Sequence, residues 1–223
     1  MFHVNSVDSN QHQIHRDLLK LVAKHDSSTF LRPFAEHTMH AFDKFAKFAE
    51  TNNKKILIDA CCGVGESTLH LAKKHPDCLV VGIDKSIARL EKNQSYQACL
   101  NQPGDNVLLV RADLHDFWRL LSESKYKHRI KRQFIFYPNP YPKKSQLSKR
   151  WYAGPVMKSI VDACPNIECR SNWLLYLEEF QQALLYFGIH SKIVEISSTP
   201  ITPFERKYME SNQRCWKIET IEN

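Results

Sequence analysis

The sequence has no long apolar run, and its first 16 residues contain no apolar core. A membrane-spanning helix needs about 20 consecutive apolar residues, and a secretory signal needs an apolar segment near its start, so we expect neither. The seven cysteines include no C-x-x-C pair, which argues against a zinc site of the usual ligand spacing. An odd number of cysteines with this arrangement indicates free thiols in a reducing, cytoplasmic compartment.

Acidic residues are absent from one long stretch of the chain. Between Lys125 and Arg150 there are nine Lys or Arg and no Asp or Glu, whereas the whole chain has a formal net charge of only +7. The remainder sums to about −2, so this basic segment supplies the entire positive excess. A concentrated basic patch is typical of a protein that binds a polyanion, most often nucleic acid. The alternative is a solvated charged loop.

The stretch from Ile56 to Asp84 has the pattern strand, glycine turn, helix, strand and acid. The run from Ile56 to Ile58 is apolar enough for a buried parallel strand, and Asp59 follows it. The glycines of the turn let the backbone approach a ligand closely. Because parallel α/β sheets bind ligands outside the carboxyl ends of their strands, Asp84 is placed to accept hydrogen bonds from a ribose diol.

Two details of this stretch favour S-adenosylmethionine over a dinucleotide. Thr68 stands where the dinucleotide fingerprint has its third glycine, and Glu66 at the helix start would repel a phosphate. A carboxylate at Asp59 suits a ligand with an ammonium group, such as the methionine moiety. The alternative is an ordinary tight turn between a strand and a helix, but Asp84, about 20 residues after the turn, favours the cofactor site.

The rest of the chain alternates between helical and strand patterns, which predicts a three-layer α/β fold with a terminal antiparallel strand. We expect a loop over residues 197–212 and a rigid, extended loop over residues 137–151, where three prolines alternate. Residues 1–52 are expected to form a helical extension packed on a core domain of residues 53–223. The expected helices cover residues 11–24, 33–50, 66–74, 86–100, 114–122, 151–164 and 174–187, and the expected strands residues 56–58, 79–83, 107–110, 133–137, 166–170, 189–196 and 213–219.

Asp113 follows the third expected strand and has two interpretations. A carboxylate at a strand's carboxyl end can accept a hydrogen bond from an adenine amino group. It can equally cap the helix that follows. The spacing alone does not decide between the two.

Five short motifs stand in a fixed order along the chain. They are DACCGVG at residues 59–65, GID at 82–84, YPNPYPKKSQLSKR at 137–150, SNW at 171–173 and TPFE at 202–205. Together they resemble the tRNA (guanine-N7)-methyltransferase family of the TrmB type, whose motifs are acid-x-G-x-G-x-G, G-I-E, F-P-D-P-W-P-K-K-x-H-x-K-R-R, T-D-W and T-x-[FY]-E. The resemblance spans most of residues 55–219, and its proline-lysine segment is the specific one.

The resemblance implies a Rossmann-like class I methyltransferase fold, a mostly parallel sheet and S-adenosyl-L-methionine as cofactor. It also implies that tRNA or another structured RNA is the partner of the basic segment. We expect no metal, no membrane partner and a monomeric or homodimeric protein. The residues implied for the cofactor are Asp59, Cys61, Gly63, Gly65, Asp84, Lys85, Ala112, Asp113 and Asn139. Those implied for the RNA are Tyr141, Lys143, Lys144, Lys149, Arg150, Asn172, Thr202, Phe204 and Glu205. Among these, Lys143, Asn172 and residues 202–205 would face the nucleoside, and Lys144, Lys149 and Arg150 would engage RNA phosphate. The implied catalytic residues are Asn139 and Asn172.

Several positions depart from the family pattern. Cys61 replaces the first glycine of the turn, Tyr141 replaces a tryptophan, and Asn139 and Asn172 each replace an aspartate. Guanine N7 has a lone pair and no proton to lose, so its methylation needs alignment rather than an obligatory general base. A carboxylate near the ring would stabilise the positive charge that develops on the purine, and an amide lacks this charge. The exchange costs roughly 1.5–3 kcal/mol, or about tenfold to a hundredfold in rate.

The leading hypothesis is therefore methyl transfer from S-adenosylmethionine to RNA, with a tRNA guanine N7 as the acceptor. A second hypothesis keeps the enzyme and changes the acceptor, since Asn139-Pro140-Tyr141 distantly resembles the [DN]-P-P-[FY] turn of amino-group methyltransferases. A third is a non-catalytic RNA-binding paralogue, motivated by the two lost carboxylates. A pseudoenzyme has no need to keep three acids at the expected cofactor cleft, which favours the enzyme.

Overall fold

The computed structural model describes residues 6–92 and 105–221. These residues divide into two compact units, each with strands, helices and a buried core of its own. The parallel unit comprises Arg32–Phe136 and Asp162–Cys164. The antiparallel unit comprises the described residues within Met1–Leu31, Tyr137–Val161 and Pro165–Asn223.

The described elements run in a mixed order of helices and strands. They are α1 (Leu18–Asp26), α2 (Glu36–Glu50), β1 (Lys55–Ala60), α3 (Glu66–Lys74), β2 (Cys78–Asp84), α4 (Ile87–Glu91), β3 (Val107–Arg111), α5 (Leu114–Glu123), β4 (Ile130–Phe136), α6 (Met157–Ala163), β5 (Ile167–Ser171), α7 (Leu174–Tyr186), β6 (Ser191–Glu195), α8 (Pro203–Glu210) and β7 (Trp216–Thr220), with 3-10 helices at Lys125–Arg129, Lys144–Lys149 and Trp151–Ala153.

The parallel unit contains four strands in the order β3-β2-β1-β4, and every neighbouring pair is parallel. Strands β1 and β2 are buried at nearly every residue because their sequences, KILIDA and CLVVGID, are almost continuously apolar. Parallel strands bring their carboxyl ends to one edge of a sheet and their amino ends to the other. We call these the carboxyl edge and the amino edge of the parallel unit.

Aromatic side chains join α2 to α5 on one face of the parallel unit. Phe45 lies 5.5 Å from Phe117 and 5.4 Å from Tyr126, measured between ring centroids. Each contact is edge-to-face, the arrangement that aromatic rings favour. In the same unit, Trp118 donates to the Gln133 side-chain oxygen over 2.8 Å and the Gln133 amide nitrogen donates to the backbone oxygen of Cys164 over 2.6 Å, so that this buried amide is satisfied.

The antiparallel unit contains three strands in the order β5-β7-β6, and both pairs are antiparallel. Helix α1 packs on α7 in this unit. The expected antiparallel terminal strand is confirmed, although it begins at Trp216 rather than at residue 213. The two expected helices of residues 1–52 fall in different units, α1 in the antiparallel one and α2 in the parallel one. A separate helical extension over residues 1–52 stays a prediction.

Three expectations about local structure are wrong. The expected loop of residues 197–212 contains α8, because the Thr202 hydroxyl accepts from the backbone N–H of Glu205 over 3.0 Å and Pro203 suits the first turn. The expected helix of residues 151–164 is two elements, interrupted at Gly154 and Pro155. The proline loop is not extended throughout, since Lys144–Lys149 forms a 3-10 helix.

The helix expected from residue 11 begins only at Leu18. The preceding segment bonds elsewhere: the backbone N–H of His15 donates to Glu179 over 2.7 Å. The helix expected over residues 86–100 begins at Ile87, and its continuation beyond residue 92 lies outside the described residues. Within the described part of the chain, no helix has the length and hydropathy of a membrane span, and no three metal-binding side chains come together.

Candidate active site

The glycine turn after β1 is built from left-handed backbone conformations. Gly63 has a φ of 60°, Gly65 has 79°, and Cys61 has 62° despite its side chain. Only glycine adopts this region without a steric cost, so Cys61 is held in a conformation that suits the glycine of the family motif. The turn is locked by the backbone N–H of Gly63, which donates to Asp84 Oδ2 over 3.0 Å.

Asp59 is fully buried at the carboxyl end of β1. Its Oδ2 accepts hydrogen bonds from the hydroxyls of Ser67, at 2.7 Å, and Thr68, at 2.6 Å, both on α3. Its Oδ1 has no hydrogen-bond partner among the described residues. Burial raises the pKa of Asp59 to about 6, helped by the nearby charge of Asp84 and opposed by the two hydroxyls. A buried acceptor without a partner is uncommon and fits a ligand that supplies a donor.

Gly82 on β2 makes the approach of α3 possible. A Cβ at this position would lie 2.4 Å from Thr68 Oγ1 and 2.5 Å from a methyl group of Leu109. Such contacts are closer than van der Waals radii allow, so only glycine lets Thr68 reach Asp59. The glycine of the G-I-D motif therefore has a packing reason that the sequence did not reveal.

Asp84 is buried at the carboxyl end of β2 and has several partners. Besides Gly63, it accepts from the backbone N–H of Ser86 over 2.8 Å, and Arg89 lies 3.2 Å from its Oδ1. Lys85, next to it, is exposed. The same carboxylate thus joins the glycine turn to the start of α4, and it brings together two segments that the sequence analysis assigned to the cofactor.

Asp113 caps α5, as one of its two interpretations proposed. Its Oδ1 accepts from the backbone N–H of His115 over 2.8 Å and lies 3.1 Å from Arg32. The His115 ring and Arg32 hold the pKa of Asp113 well below its usual range. Ala112, just before it, is fully buried. A contact of Asp113 with adenine stays a prediction.

The proline loop carries several of the predicted site residues that belong to the antiparallel unit. Tyr137 and Tyr141 both have positive φ values, of 48° and 44°, so the backbone bends sharply on either side of Asn139. The Asn139 side chain is exposed, and its Oδ1 accepts from the backbone N–H of Tyr141 over 3.3 Å. Lys149 lies over the Tyr141 ring, 5.8 Å from its centroid. Three lysines of this loop are exposed: Lys143, Lys144 and Lys149.

The expected contact of Arg150 with RNA phosphate does not fit the structure. Arg150 is fully buried and forms an ion pair with Glu179, which is also fully buried. Its guanidinium further donates to the backbone oxygen of Tyr141 over 3.1 Å and to the side chain of Gln11 over 3.0 Å. The arginine therefore holds the proline loop from within, because its donors are taken up by protein acceptors.

The segment before α1 forms hydrogen bonds to the same loop that the sequence analysis did not predict. Ser9 donates through its hydroxyl to the backbone oxygen of Pro142 over 2.6 Å, and Asn10 accepts from the backbone N–H of Lys144 over 3.1 Å. Gln11 donates to Glu179 over 2.6 Å. The contacts join residues more than 130 positions apart, so no local pattern in the sequence indicated them.

Glu205 is an internal residue rather than a surface one. It is fully buried and accepts from Tyr137, at 3.0 Å, and from Arg170, at 2.9 Å. Burial and the Glu205 charge raise the pKa of Tyr137. Thr202 is also buried, as the cap of α8. The polar atoms of Glu205 and Thr202 thus fix α8 and the start of the proline loop and do not project toward solvent.

Phe204 and Asn172 are more accessible. Half of the Phe204 side chain is exposed, so it can contact a ligand. Asn172 is partly exposed and donates to the side-chain oxygen of Gln213 over 2.9 Å. Its amide nitrogen is therefore engaged, whereas an aspartate at this position could not make that bond.

The basic segment is divided between the two units. Its first part, from Lys125 to Arg132, belongs to the parallel unit and precedes or begins β4. Its second part, from Lys143 to Arg150, belongs to the proline loop of the antiparallel unit. The continuous run of charge in the sequence therefore supplies two separate groups of basic side chains.

Comparison with known proteins identifies the family. The family described as "Putative methyltransferase" matches residues 53–218. The chain is 26% identical to the tRNA (guanine-N(7)-)-methyltransferase of Mycoplasma genitalium over 75% of this chain and 83% of the relative. It is 22% identical to the enzyme of the same name from Ralstonia nicotianae over 85% of this chain and 75% of the relative.

Solved structures show the same fold at low sequence identity. An antibiotic-related methyltransferase superposes with a TM-score of 0.57 at 15% identity, covering 81% of this chain and 94% of the other. The 16S rRNA methyltransferase KamB gives 0.57 at 14% identity, covering 86% and 96%. A 16S rRNA (adenine(1408)-N(1))-methyltransferase variant from Catenulisporales acidiphilia, solved with the cosubstrate SAM, gives 0.54 at 13% identity, covering 81% and 91%.

The predicted Rossmann-like α/β fold, with its mostly parallel strands and an antiparallel C-terminal strand, is thereby confirmed. The family match covers most of the chain and includes all five motifs on which the resemblance rests. The chain belongs to this methyltransferase family.

Proposed function

We propose that the protein transfers a methyl group from S-adenosylmethionine to RNA, with the N7 of a tRNA guanine as the acceptor. The observation that carries the donor side is the buried carboxylate of Asp59 beside a left-handed glycine turn, because its Oδ1 has no hydrogen-bond partner among residues 6–92 and 105–221. The observations that support the acceptor side are the proline-lysine loop and the relatives that bear this activity in their names. The identity of the acceptor atom rests on this loop and on these relatives alone.

The residues of the parallel unit fit an adenosyl cofactor with an amino-acid tail. The free acceptor on Asp59 suits the ammonium group of the methionine moiety, and binding there would favour the ionised carboxylate. Asp84 is placed to accept from the ribose hydroxyls, and its bond to Gly63 keeps the turn in position. When bound, the cofactor supplies an electrophilic methyl group on a sulfonium. Lys85, Ala112 and Asp113 remain the proposed contacts of the adenosine part.

On the acceptor side, the protein's task is to orient the base and exclude water. Asn139 and Asn172 are the side chains that we propose to meet the guanine, each through an amide. Asn172 is oriented by its bond to Gln213, and Asn139 by the bend of the proline loop. No side chain has to remove a proton from guanine N7, because that nitrogen carries none.

Exposed lysines of the proline loop are the proposed contacts to the RNA. Lys143, Lys144 and Lys149 are solvent-accessible. We propose that Lys143 faces the nucleoside and that Lys144 and Lys149 contact phosphate, which needs only a positioned cation. Arg150 is not part of this surface because its guanidinium is buried. Tyr141 and Phe204 are proposed to contact the base or ribose through their rings.

The cysteines are the observation that bears on the cellular setting. The six cysteines within the described residues form no disulfide with one another, which suits a reducing compartment. We propose a cytoplasmic protein that acts on its RNA as a monomer or homodimer.

The test combines cofactor binding with product analysis. Titration calorimetry with S-adenosylhomocysteine is run on the wild type, on Asp59→Asn and on Asp43→Asn, a control at an exposed position of α2. Unmodified bulk tRNA is then incubated with S-adenosylmethionine, and its nucleosides are analysed. We expect binding and 7-methylguanosine with the wild type and the control, and binding weakened at least tenfold in Asp59→Asn, since a charge-assisted contact is lost.

Other products decide between the alternatives. A methylated exocyclic amine in place of 7-methylguanosine would move the activity to the amino-group acceptor. Absence of any binding to S-adenosylhomocysteine would overturn the proposal and leave the RNA-binding paralogue.

A further inference from the structure

The amino edge of the parallel unit carries a dense group of basic side chains, four of which lie outside the basic segment that is expected to bind RNA. Its members are the exposed Lys54, Lys55, Lys73, Lys74 and Lys131 and the partly exposed Arg132. We call this group the amino-edge patch. It lies at the opposite end of the strands from Asp59 and Asp84.

The parallel register brings these residues together. Lys55 begins β1 and pairs with Cys78 at the start of β2, while Ile56 pairs with Ile130 at the start of β4. Lys131 and Arg132 therefore lie at the same edge as Lys55. Helix α3 runs back along the sheet from the glycine turn, so its last residues, Lys73 and Lys74, also reach the amino edge before the chain enters β2.

Backbone contacts fix the loops that carry the patch. Arg129 donates to the backbone oxygens of Asn52 and Lys54, at 2.8 and 2.6 Å, so the approach to β1 is tied to the approach to β4. Lys54 donates to the backbone oxygen of Pro76 over 3.0 Å, which joins the turn after α3. The lysines are thus presented on a defined surface rather than on free loops.

Basic side chains outnumber acidic ones at this edge. Among the described residues, none of the five lysines of the patch forms an ion pair with a carboxylate. Glu50, at the end of α2, pairs with Lys125 instead, and Asp77 and Asp105 lie on neighbouring turns. Burial and the charges of Lys74, Lys131 and Arg132 lower the pKa of His75, whereas Asp77 raises it. Cations from α3 and β4 therefore converge on one place.

We propose that the amino-edge patch binds the phosphate backbone of the substrate RNA, away from the methylated nucleotide. Five residue steps separate Lys55 from Ala60 along β1, which at about 3.3 Å a residue is roughly 17 Å. A folded RNA is large enough to reach both edges of the unit. The inference rests on the proposed function in taking RNA as the partner.

The chemistry of the patch favours the phosphates of RNA over an anionic lipid surface. Lysine presents a hydrated point charge that suits phosphate contacts without sequence readout. Within the described residues, no large apolar side chain of this edge belongs to the exposed set, so nothing there would insert into a lipid surface. The expected role is to position the RNA and to raise its affinity, not to select the base.

The test removes four positive charges from the patch and compares this variant with a matched control variant. One variant combines Lys54→Ala, Lys55→Ala, Lys74→Ala and Lys131→Ala; the other combines Lys20→Ala, Lys24→Ala, Lys44→Ala and Lys47→Ala, which are exposed lysines outside the patch. Binding of tRNA is measured by fluorescence anisotropy from 50 to 200 mM KCl. We expect the patch variant to bind tRNA at least about tenfold more weakly than the wild type. The slope of log K against log [KCl] should become less steep by up to about 3.6, at about 0.9 for each lost phosphate contact.

A charge-retaining variant separates charge from folding. The same four positions changed to arginine are expected to bind tRNA within about threefold of the wild type, because the positive charge is kept. Titration with S-adenosylhomocysteine is expected to be unchanged in all three variants, since the patch lies at the far end of the strands.

The outcomes distinguish this inference from the proposed function. If the wild type methylates tRNA and the patch variant binds it like the control, the patch is not an RNA surface although the function stands. If the wild type binds tRNA through the patch without methylating it, the function fails and the patch remains. If the patch variant instead loses binding to phosphatidylserine vesicles while tRNA binding is unchanged, the patch is a membrane surface and the inference is overturned.

Discussion

Arg150 and Glu179 form an ion pair in which both side chains have no exposure to solvent. Tyr152 donates to one oxygen of the carboxylate and Gln11 to the other, each over 2.6 Å. The guanidinium in turn holds the backbone oxygen of Tyr141. The last arginine of the proline-lysine motif is therefore a residue that positions the loop, and the lysines before it are left to meet the RNA.

Removing one partner of this pair leaves a buried charge uncompensated. We expect Glu179→Leu to lower the free energy of unfolding by about 3–5 kcal/mol, as measured by urea titration. Lys149→Met, at the exposed neighbouring position, is expected to change it by no more than about 0.5 kcal/mol.

A double variant then tests whether the loss comes from the unpaired charge. Arg150→Met with Glu179→Leu should recover most of the stability, because apolar replacements of a buried ion pair are often near neutral. The loop would still lack its anchor, so we expect normal binding of S-adenosylhomocysteine and slower methylation of tRNA. A double variant as active as the wild type would contradict the positioning role.

Cys61 occupies a left-handed conformation that costs an ordinary residue about 1–2 kcal/mol. Cys61→Gly relieves this cost but gives the unfolded chain more freedom, so we expect a net gain of roughly 0.5–1 kcal/mol in the free energy of unfolding. Cys62→Gly is the matched control, because Cys62 is buried and has no positive φ; it should lose stability. A loss in both variants would show that the Cys61 side chain stabilises the turn.

Burial raises the pKa of Asp59 from 3.8 to about 6. The folded protein therefore binds this proton more tightly than the unfolded chain does, and the contribution of Asp59 to stability falls as the pH rises from about 4 to about 6. The fall amounts to about 3 kcal/mol, at 1.36 kcal/mol for each pKa unit, and it levels off above pH 6. Asp59→Asn is expected to lack this fall in the free energy of unfolding.

The measurement is the free energy of unfolding from pH 4 to 7 in both proteins without ligand. Other carboxylates titrate alike in the two, so the difference between the curves isolates Asp59. Asp43→Asn should follow the wild type, because Asp43 is exposed. Parallel curves for the wild type and Asp59→Asn would mean that the carboxyl group does not titrate in this range.

Asn139 replaces a family aspartate on an exposed bend of the proline loop. We expect Asn139→Asp to raise kcat/KM on tRNA by about tenfold to a hundredfold, because a carboxylate stabilises the charge that develops on the purine. The substitution keeps an oxygen that can accept from the Tyr141 backbone N–H. Asn139→Ala is the companion variant and should be slower than the wild type. A slower Asn139→Asp enzyme would indicate that the amide donates to a different acceptor.

Local patterns in the sequence were sufficient to predict most elements of the parallel unit and the position of two carboxylates at its carboxyl edge. Continuous apolar runs predicted β1 and β2, and a parallel arrangement alone brings Asp59 and Asp84 to the same edge. The cap of α5 by Asp113 was one of two local alternatives, and the structure shows it. Helix α8 was missed although Thr202, Pro203 and Glu205 carry a capping signal, because the helix has only eight residues and most of them are polar.

Tertiary structure decided the roles of the charged residues. In the sequence, Arg150 cannot be told from an arginine that binds RNA. Only the structure shows that it is buried between Glu179 and Gln11, which occupy its hydrogen-bond donors. The basic segment is continuous in the chain, yet β4 carries its first part to the amino edge, where lysines from β1 and α3 join it. A sequence shows which residues are charged but not where their side chains will point. Long-range packing decides which charges are paired inside the protein and which are left to face a partner.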